Sequence, residues 1–124
     1  MKIGAIKNKY LHLEYSPDIG GSIFKFQAIK NKKKIDIFRS FKKKEIKKYS
    51  SYFSGYFSTI PYFGVIRKNS LFYKKKYISL GRTHPLEPDT IHGEGWVNQW
   101  KLIKENKSSV LLKFLHNGKK SFPY

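Results

Sequence analysis

The stretch YLHLEYSPDIGGSIFKFQA, residues 10–28, alternates apolar and polar side chains on either side of a segment rich in proline and glycine. Alternation with a period of two is typical of a β-strand that buries one face. Proline, aspartate and paired glycines supply the backbone angles of a tight turn. The stretch therefore predicts an antiparallel hairpin, with strands at residues 10–15 and 22–28 joined by a turn at 17–21.

Similar short patterns recur along the rest of the chain. They predict further strands, separated by polar turns and by a loop at 81–89, at residues 35–39, 57–66, 71–73, 77–80, 100–104 and 109–114. Residues 42–49 are expected to form a short helical or irregular linker, and no convincing amphipathic helix is found. Short strands at regular spacing with polar turns indicate an all-β fold, an antiparallel β-sandwich.

Length and residue types narrow the chemistry. A chain of 124 residues has room for one domain with a modest core. Because it contains no cysteine, disulfides and thiolate-based zinc sites are excluded. The histidines lie far apart and form no helical metal-binding pair, so no metal is expected. The first residues lack the apolar core of a signal peptide, and no apolar run reaches membrane-spanning length. We expect a cytoplasmic protein without a membrane partner.

The formal net charge of +18 raises the question of a nucleic-acid partner. Lysine runs at 32–34, 42–44 and 74–76 lie among aromatic residues, as in basic aromatic nucleic-acid surfaces. However, arginine, whose planar fork grips phosphates and base edges, occurs only at Arg39, Arg67 and Arg82. The abundance of Ile, Asn, Phe and Tyr also fits a composition set by A/T-rich codons. We therefore interpret the lysines as a solvated surface and favour a protein that does not bind nucleic acid.

The segment Ile91-His92-Gly93-Glu94-Gly95-Trp96 carries the clearest sign of function. Glycine allows close backbone approach, tryptophan offers a flat apolar face with one N–H donor, and imidazole can hydrogen-bond a hydroxyl or a ring oxygen. Sugars are bound by hydrogen bonds at their edges and by aromatic rings on their faces. The segment therefore fits a sugar-binding turn, although a turn beside a core tryptophan would use the same residues.

Several segments, in the same order, resemble the aldose 1-epimerase (galactose mutarotase) family. These are the Gly-Gly hairpin at 17–23, the strand at 35–39, the segment at 57–67, the His-Gly-x-Gly-Trp loop within 84–100, and the Phe-Pro-Tyr at 122–124. The resemblance spans nearly all of the chain and implies a galactose mutarotase-like supersandwich. Residues 1–124 would then form the N-terminal part of one domain. The sequence stops where a new strand begins, so we expect an incomplete sandwich associated with a C-terminal half.

The resemblance implies a reaction and a set of site residues. Family members interconvert the α and β anomers of free aldohexoses without a metal or cofactor. A glutamate takes the proton of the anomeric hydroxyl while a histidine donates to the ring oxygen. The first family histidine corresponds to His92, the candidate catalytic residue, and Trp96 is a candidate substrate contact. Trp96 and Trp100 also fit a core. His12 and His116 are interpreted as exposed, and His84 as a loop residue without chemistry.

The chain departs from the family pattern in two respects. No residue matches the base glutamate, the second histidine or the carbohydrate-binding aspartate, and Glu94 occupies the variable position of the loop. The family's Asn-Arg pair is replaced by Gly64-Val65. Arg67, two residues further, would share a face with residue 65 on a strand and is the second candidate for substrate binding.

Three hypotheses about function follow. The first is an aldose 1-epimerase-like protein whose 124 residues are inactive alone. The second is a non-catalytic carbohydrate-binding or pairing module that keeps the loop without the chemistry. The third is a basic β-domain that binds nucleic acid.

Overall fold

A computed structural model describes residues 1–41 and 50–123, and its largest element is a four-stranded antiparallel sheet. Its strands follow one another in chain order: β1 (Gly4–Lys7), β2 (Leu11–Ser16), β3 (Ser22–Lys30) and β4 (Lys33–Phe38). The predicted hairpin of residues 10–28 is β2 and β3, which pair with Leu11 opposite Ala28 and Ser16 opposite Ser22. The sequence did not predict β1, which pairs along the outer edge of β2.

Three two-stranded pairs complete the sheet structure of the described residues. They are β5 (Val65–Ile66) with β8 (Thr90–Ile91), β6 (Ser70–Tyr73) with β7 (Lys76–Ser79), and β9 (Lys101–Glu105) with β10 (Val110–Lys113). Short 3₁₀ turns lie at Ser50–Phe53 and Arg67–Asn69. Every strand pair is antiparallel, so the predicted all-β antiparallel fold is confirmed. The predicted linker at 42–49 lies outside the described residues.

The turn between β2 and β3 anchors the sheet to the rest of the chain. The amide of Gly20 donates to the carbonyl of Asn98 at 2.9 Å, and the amide of Trp100 donates to the carbonyl of Pro17 at 2.7 Å. A Cβ atom on Gly20 would lie 1.9 Å from the carbonyl oxygen of Trp96, so only glycine permits this approach. The sheet therefore reaches the segment that follows His92 through backbone contacts.

The apolar core lies directly beneath the same turn. Ile19 and Phe24 are buried, and Ile3 and Phe41 pack against them. Phe24 and Phe41 meet with ring centroids 6.1 Å apart. The core therefore joins the turn, β3 and the residues after β4. Because Ile19 is part of this core, it holds the neighbouring Gly20 where its amide bonds the carbonyl of Asn98.

The prediction of a buried strand at residues 57–66 is wrong. Only Val65 and Ile66 are in a strand, and Phe63 and Val65 are exposed. Pro61 has no N–H to give to a neighbouring strand. The carbonyl of Ile60 instead accepts from the amide of Gly95 at 3.0 Å. The segment thus runs along the His-Gly-x-Gly-Trp loop, and its apolar side chains do not form an alternating strand face.

The interpretation of His12 and His116 as exposed is also wrong. The side chain of His12 is 13% exposed and that of His116 is 17% exposed. His12 lies on β2 with its Nε2 3.5 Å from the carboxylate of Glu14. Each histidine thus lies beside a buried glutamate, Glu14 or Glu94. Among the helices of the described residues, none is long and apolar enough to span a membrane.

Candidate functional site

His92 follows the end of β8 and adopts a left-handed backbone conformation. Its φ is 60°, in the left-handed region, and Gly93 continues there with φ 67°. Residues other than glycine populate this region at an energetic cost, and in this chain the turn residues Asn31, Lys32, Lys74 and Lys75 do so as well. The amide of His92 donates to the carbonyl of Gly64 at 2.9 Å. This bond fixes His92 beside the start of β5.

A second bond to Gly64 fixes the imidazole. The amide of Gly64 donates to Nδ1 of His92 at 3.0 Å, so Nδ1 accepts and the ring proton lies on Nε2. Burial lowers the pKa of His92 from 6.5, which further favours the neutral ring. Within residues 1–41 and 50–123, no group accepts a hydrogen bond from Nε2. The site therefore presents one N–H donor.

Aromatic rings surround the imidazole. Phe63 stacks on it with centroids 5.0 Å apart and an interplanar angle of 25°, and Phe57 lies 5.8 Å away. Phe63 is 83% exposed, so its outer face is accessible beside the N–H donor. A donor beside an exposed aromatic face is the combination that binds a sugar edge and a sugar face. Phe63 was not singled out from the sequence, because an apolar residue in a presumed strand was expected to be buried.

Gly93 is required by a close backbone approach. A Cβ atom there would lie 2.2 Å from the carbonyl oxygen of Ile60, and the two residues form an isolated parallel bridge. This contact places the loop against the 57–66 segment. The role of glycine expected from the sequence is therefore present at this position.

Trp96 is buried and holds the backbone of the His-Gly-x-Gly-Trp loop through its indole N–H. Its side chain is 0% exposed, and its Nε1 donates to the carbonyls of Ile91 and Gly93 at 3.1 and 3.0 Å. The ring of His84 stacks on it with centroids 5.5 Å apart. No face of the indole is left for a ligand. We therefore revise Trp96 from a direct sugar contact to a support for the loop, and His84 from a plain loop residue to part of that support.

Arg67 does not lie on a strand as predicted. β5 ends at Ile66, and Arg67 opens a 3₁₀ turn in which Lys68 has a φ of 60°. The alternation of side chains along β5 therefore does not extend to Arg67. Arg67 is exposed. A role for Arg67 in substrate binding stays a prediction.

Glu94 is buried, with a carboxylate that faces His116, so it is not available as a base for a ligand. Among residues 1–41 and 50–123, no group of three His, Cys, Asp or Glu side chains could hold a metal ion. The chemistry that the described site can perform is hydrogen-bond donation by a neutral imidazole next to an aromatic surface.

Comparison with solved structures gives a match at the level of the fold. The crystal structure of a "Putative aldose 1-epimerase" from Escherichia coli K12 superposes with a TM-score of 0.76 at 20% sequence identity. The chain shares the fold of that protein. The match covers 94% of this chain and 37% of the other, so the chain spans little more than a third of that structure. The predicted resemblance is thereby confirmed as a shared fold. No family model and no curated protein matches the sequence.

Proposed function

We propose that these 124 residues form the His92-bearing, N-terminal part of an aldose 1-epimerase-like protein that acts on free aldohexoses. The observation that carries the proposal is the neutral imidazole of His92, fixed by two bonds to Gly64 and stacked against the exposed ring of Phe63. The shared fold supports it. A cytoplasmic location stays a prediction.

The proposed role of His92 follows from its tautomer. Anomer interconversion removes the proton of the anomeric hydroxyl, breaks the bond between the anomeric carbon and the ring oxygen, and leaves charge on that oxygen. A neutral Nε2–H stabilises this charge by donating a hydrogen bond, as the neutral active-site histidine of triosephosphate isomerase does for its substrate carbonyl. Reclosure on the other face of the carbonyl gives the second anomer. His92 therefore acts as an electrophilic donor.

The remaining proton transfers need groups that residues 1–124 do not supply. A base must take the anomeric proton, and an acid must deliver a proton to the ring oxygen. No residue of the chain matches the family's base glutamate or its second histidine. We assign both transfers to a C-terminal half of the protein, which would close the sugar site over His92 and Phe63.

The sugar site can be tested by binding measurements on the 124-residue chain. Isothermal titration with galactose or glucose should give a weak, saturable signal, and Phe63→Ala should weaken it roughly tenfold. Phe72→Ala is the matched control, because Phe72 is another exposed aromatic residue, on β6, and its ring packs on Tyr77. Equal effects of the two substitutions would remove the support for a sugar surface at Phe63.

A non-catalytic carbohydrate-binding module is the second candidate. The absence of a matching base among the 124 residues favours it. It predicts the same binding and the same dependence on Phe63, but no catalysis when the C-terminal half is supplied. Nucleic-acid binding has no comparable support from the site, and its absence stays a prediction.

A further inference from the structure

Glu94, two residues after His92, has a buried carboxylate that bonds a residue distant in sequence. The residue is 3% exposed, and its Oε1 lies 2.5 Å from Nδ1 of His116. The ammonium of Lys119 lies 3.8 Å from the other carboxylate oxygen. A buried carboxylate is costly unless it is paired and hydrogen-bonded. Both of these neighbours, His116 and Lys119, come from the segment that follows β10.

The second ring nitrogen of His116 also faces an oxygen. Nε2 lies 3.0 Å from the carbonyl oxygen of Phe122. Nδ1 of His116 thus faces the carboxylate of Glu94 while Nε2 faces the carbonyl of Phe122, so the ring joins the buried carboxylate to the backbone of the segment after β10. A hydrogen bond in which one partner is an ionised carboxylate is stronger than a bond between neutral groups.

The segment that carries His116 is itself held in place. Lys119 and Phe122 exchange two backbone hydrogen bonds of 2.9 Å, and the amide of Gly81 donates to the carbonyl of Ser121 at 2.8 Å. Phe122 is buried and lies against Gly81. His116 therefore offers Glu94 a fixed partner.

We propose that Glu94 and His116 are positioning residues for His92. The backbone is left-handed at His92 and Gly93, and this conformation is unfavourable at the non-glycine residue His92, so the loop needs anchors on both sides. Before Gly93, hydrogen bonds to Gly64 fix His92. After Gly93, the contact between Glu94 and His116 fixes the chain. Breaking the pair leaves an uncompensated buried charge or polar group and releases the loop. The inference rests on the proposed function only in taking His92 as the residue that meets the ligand.

The test compares two buried glutamates. Glu94→Gln removes the charge of the pair, and Glu14→Gln is the matched control, because Glu14 is buried on β2 with His12 and Lys25 as partners. The readout is hydrogen exchange of the amides of His92 and Gly64, which report the two bonds between these residues. We expect exchange about tenfold faster in Glu94→Gln than in Glu14→Gln when both are corrected for global stability. Equal exchange in the two variants would overturn the proposal.

A measurement on the unsubstituted chain keeps the proposal testable if Glu94→Gln does not fold. Imidazole ¹⁵N spectra should show a strongly hydrogen-bonded proton between Nδ1 of His116 and the carboxylate of Glu94, and a His92 ring protonated at Nε2 alone. The absence of a hydrogen-bonded proton at Nδ1 of His116 would overturn the proposed pair. Neither readout needs a sugar. If hexose binding fails while the exchange result holds, the proposed function fails and the positioning of His92 stands.

Discussion

His92 and Gly64 exchange two hydrogen bonds, one between their backbones and one from the Gly64 amide to the imidazole of His92. The second bond occupies Nδ1 and leaves the ring proton on Nε2. Gly64, the residue that precedes β5, therefore sets both the position and the tautomer of the candidate catalytic histidine.

The folded chain should lose stability through His92 as the pH falls. Burial lowers the pKa of His92 below 6.5, so the unfolded chain binds more protons there than the folded chain. The free energy of unfolding then decreases as the pH falls through 6.5 toward the lower folded value. His92→Asn, which tolerates a left-handed backbone, should flatten this part of the curve. Urea denaturation between neutral and mildly acidic pH measures it, and an unchanged slope in the variant would contradict the prediction.

The second prediction separates steric crowding from backbone strain at two glycines. Gly93→Ala should lower the free energy of unfolding by about 3 kcal/mol, because its Cβ would meet the carbonyl oxygen of Ile60 at 2.2 Å. Gly64→Ala is the control. Its φ of 97° is also unfavourable for alanine, but no atom lies within 4 Å of the added Cβ. It should cost about 1 kcal/mol. Similar losses in chemical denaturation would show that the Ile60 contact is unimportant.

The residues that sequence patterns assigned correctly are those whose partners lie nearby along the chain. The hairpin of β2 and β3 and the pair β9 and β10 depend on local alternation and short turns, which the sequence displays. Residues 57–66 also look apolar and strand-like, but their backbone partner is the loop around Gly93. That pairing joins distant parts of the chain, so no local pattern encodes it.

The candidate site shows the same limit. His92 and the glycines that follow it form a motif that can be recognised in the sequence. Phe63 is distant from His92 in the sequence, and the two rings come into contact only in the folded chain. The bond between Glu94 and His116 joins residues 22 positions apart. The burial of Trp96 could not be read from its spacing, because a turn tryptophan can face either the core or a ligand.

The third prediction concerns the burial of Trp96. Replacing Trp100 by Phe leaves Trp96 as the one tryptophan of the sequence. Its emission should be poorly quenched by iodide and should change little when a hexose is added, because the indole is fully buried. Trp96→Phe, which retains the half-buried Trp100, should be quenched more. Strong iodide quenching of Trp96 would restore its assignment as a direct ligand contact.

The fourth prediction concerns catalysis. The 124-residue chain alone should not accelerate the mutarotation of glucose or galactose above the uncatalysed rate, since no residue matches the family's base. Loss of general acid–base catalysis alone removes about 10²–10⁴-fold in rate. Polarimetry on freshly dissolved α-anomer measures the rate. Rapid equilibration that His92→Ala abolishes would show that the chain contains its own base.

The central claim, that the neutral Nε2–H of His92 meets a sugar, is tested most directly by NMR on the 124-residue chain with ¹⁵N-labelled histidine. We predict a His92 ring protonated at Nε2 whose Nε2–H resonance shifts in a saturable manner as galactose or glucose is added, while the ring resonances of His12 stay in place. A His92 ring protonated at Nδ1, or an Nε2–H resonance that does not move at high hexose concentration, would contradict the account.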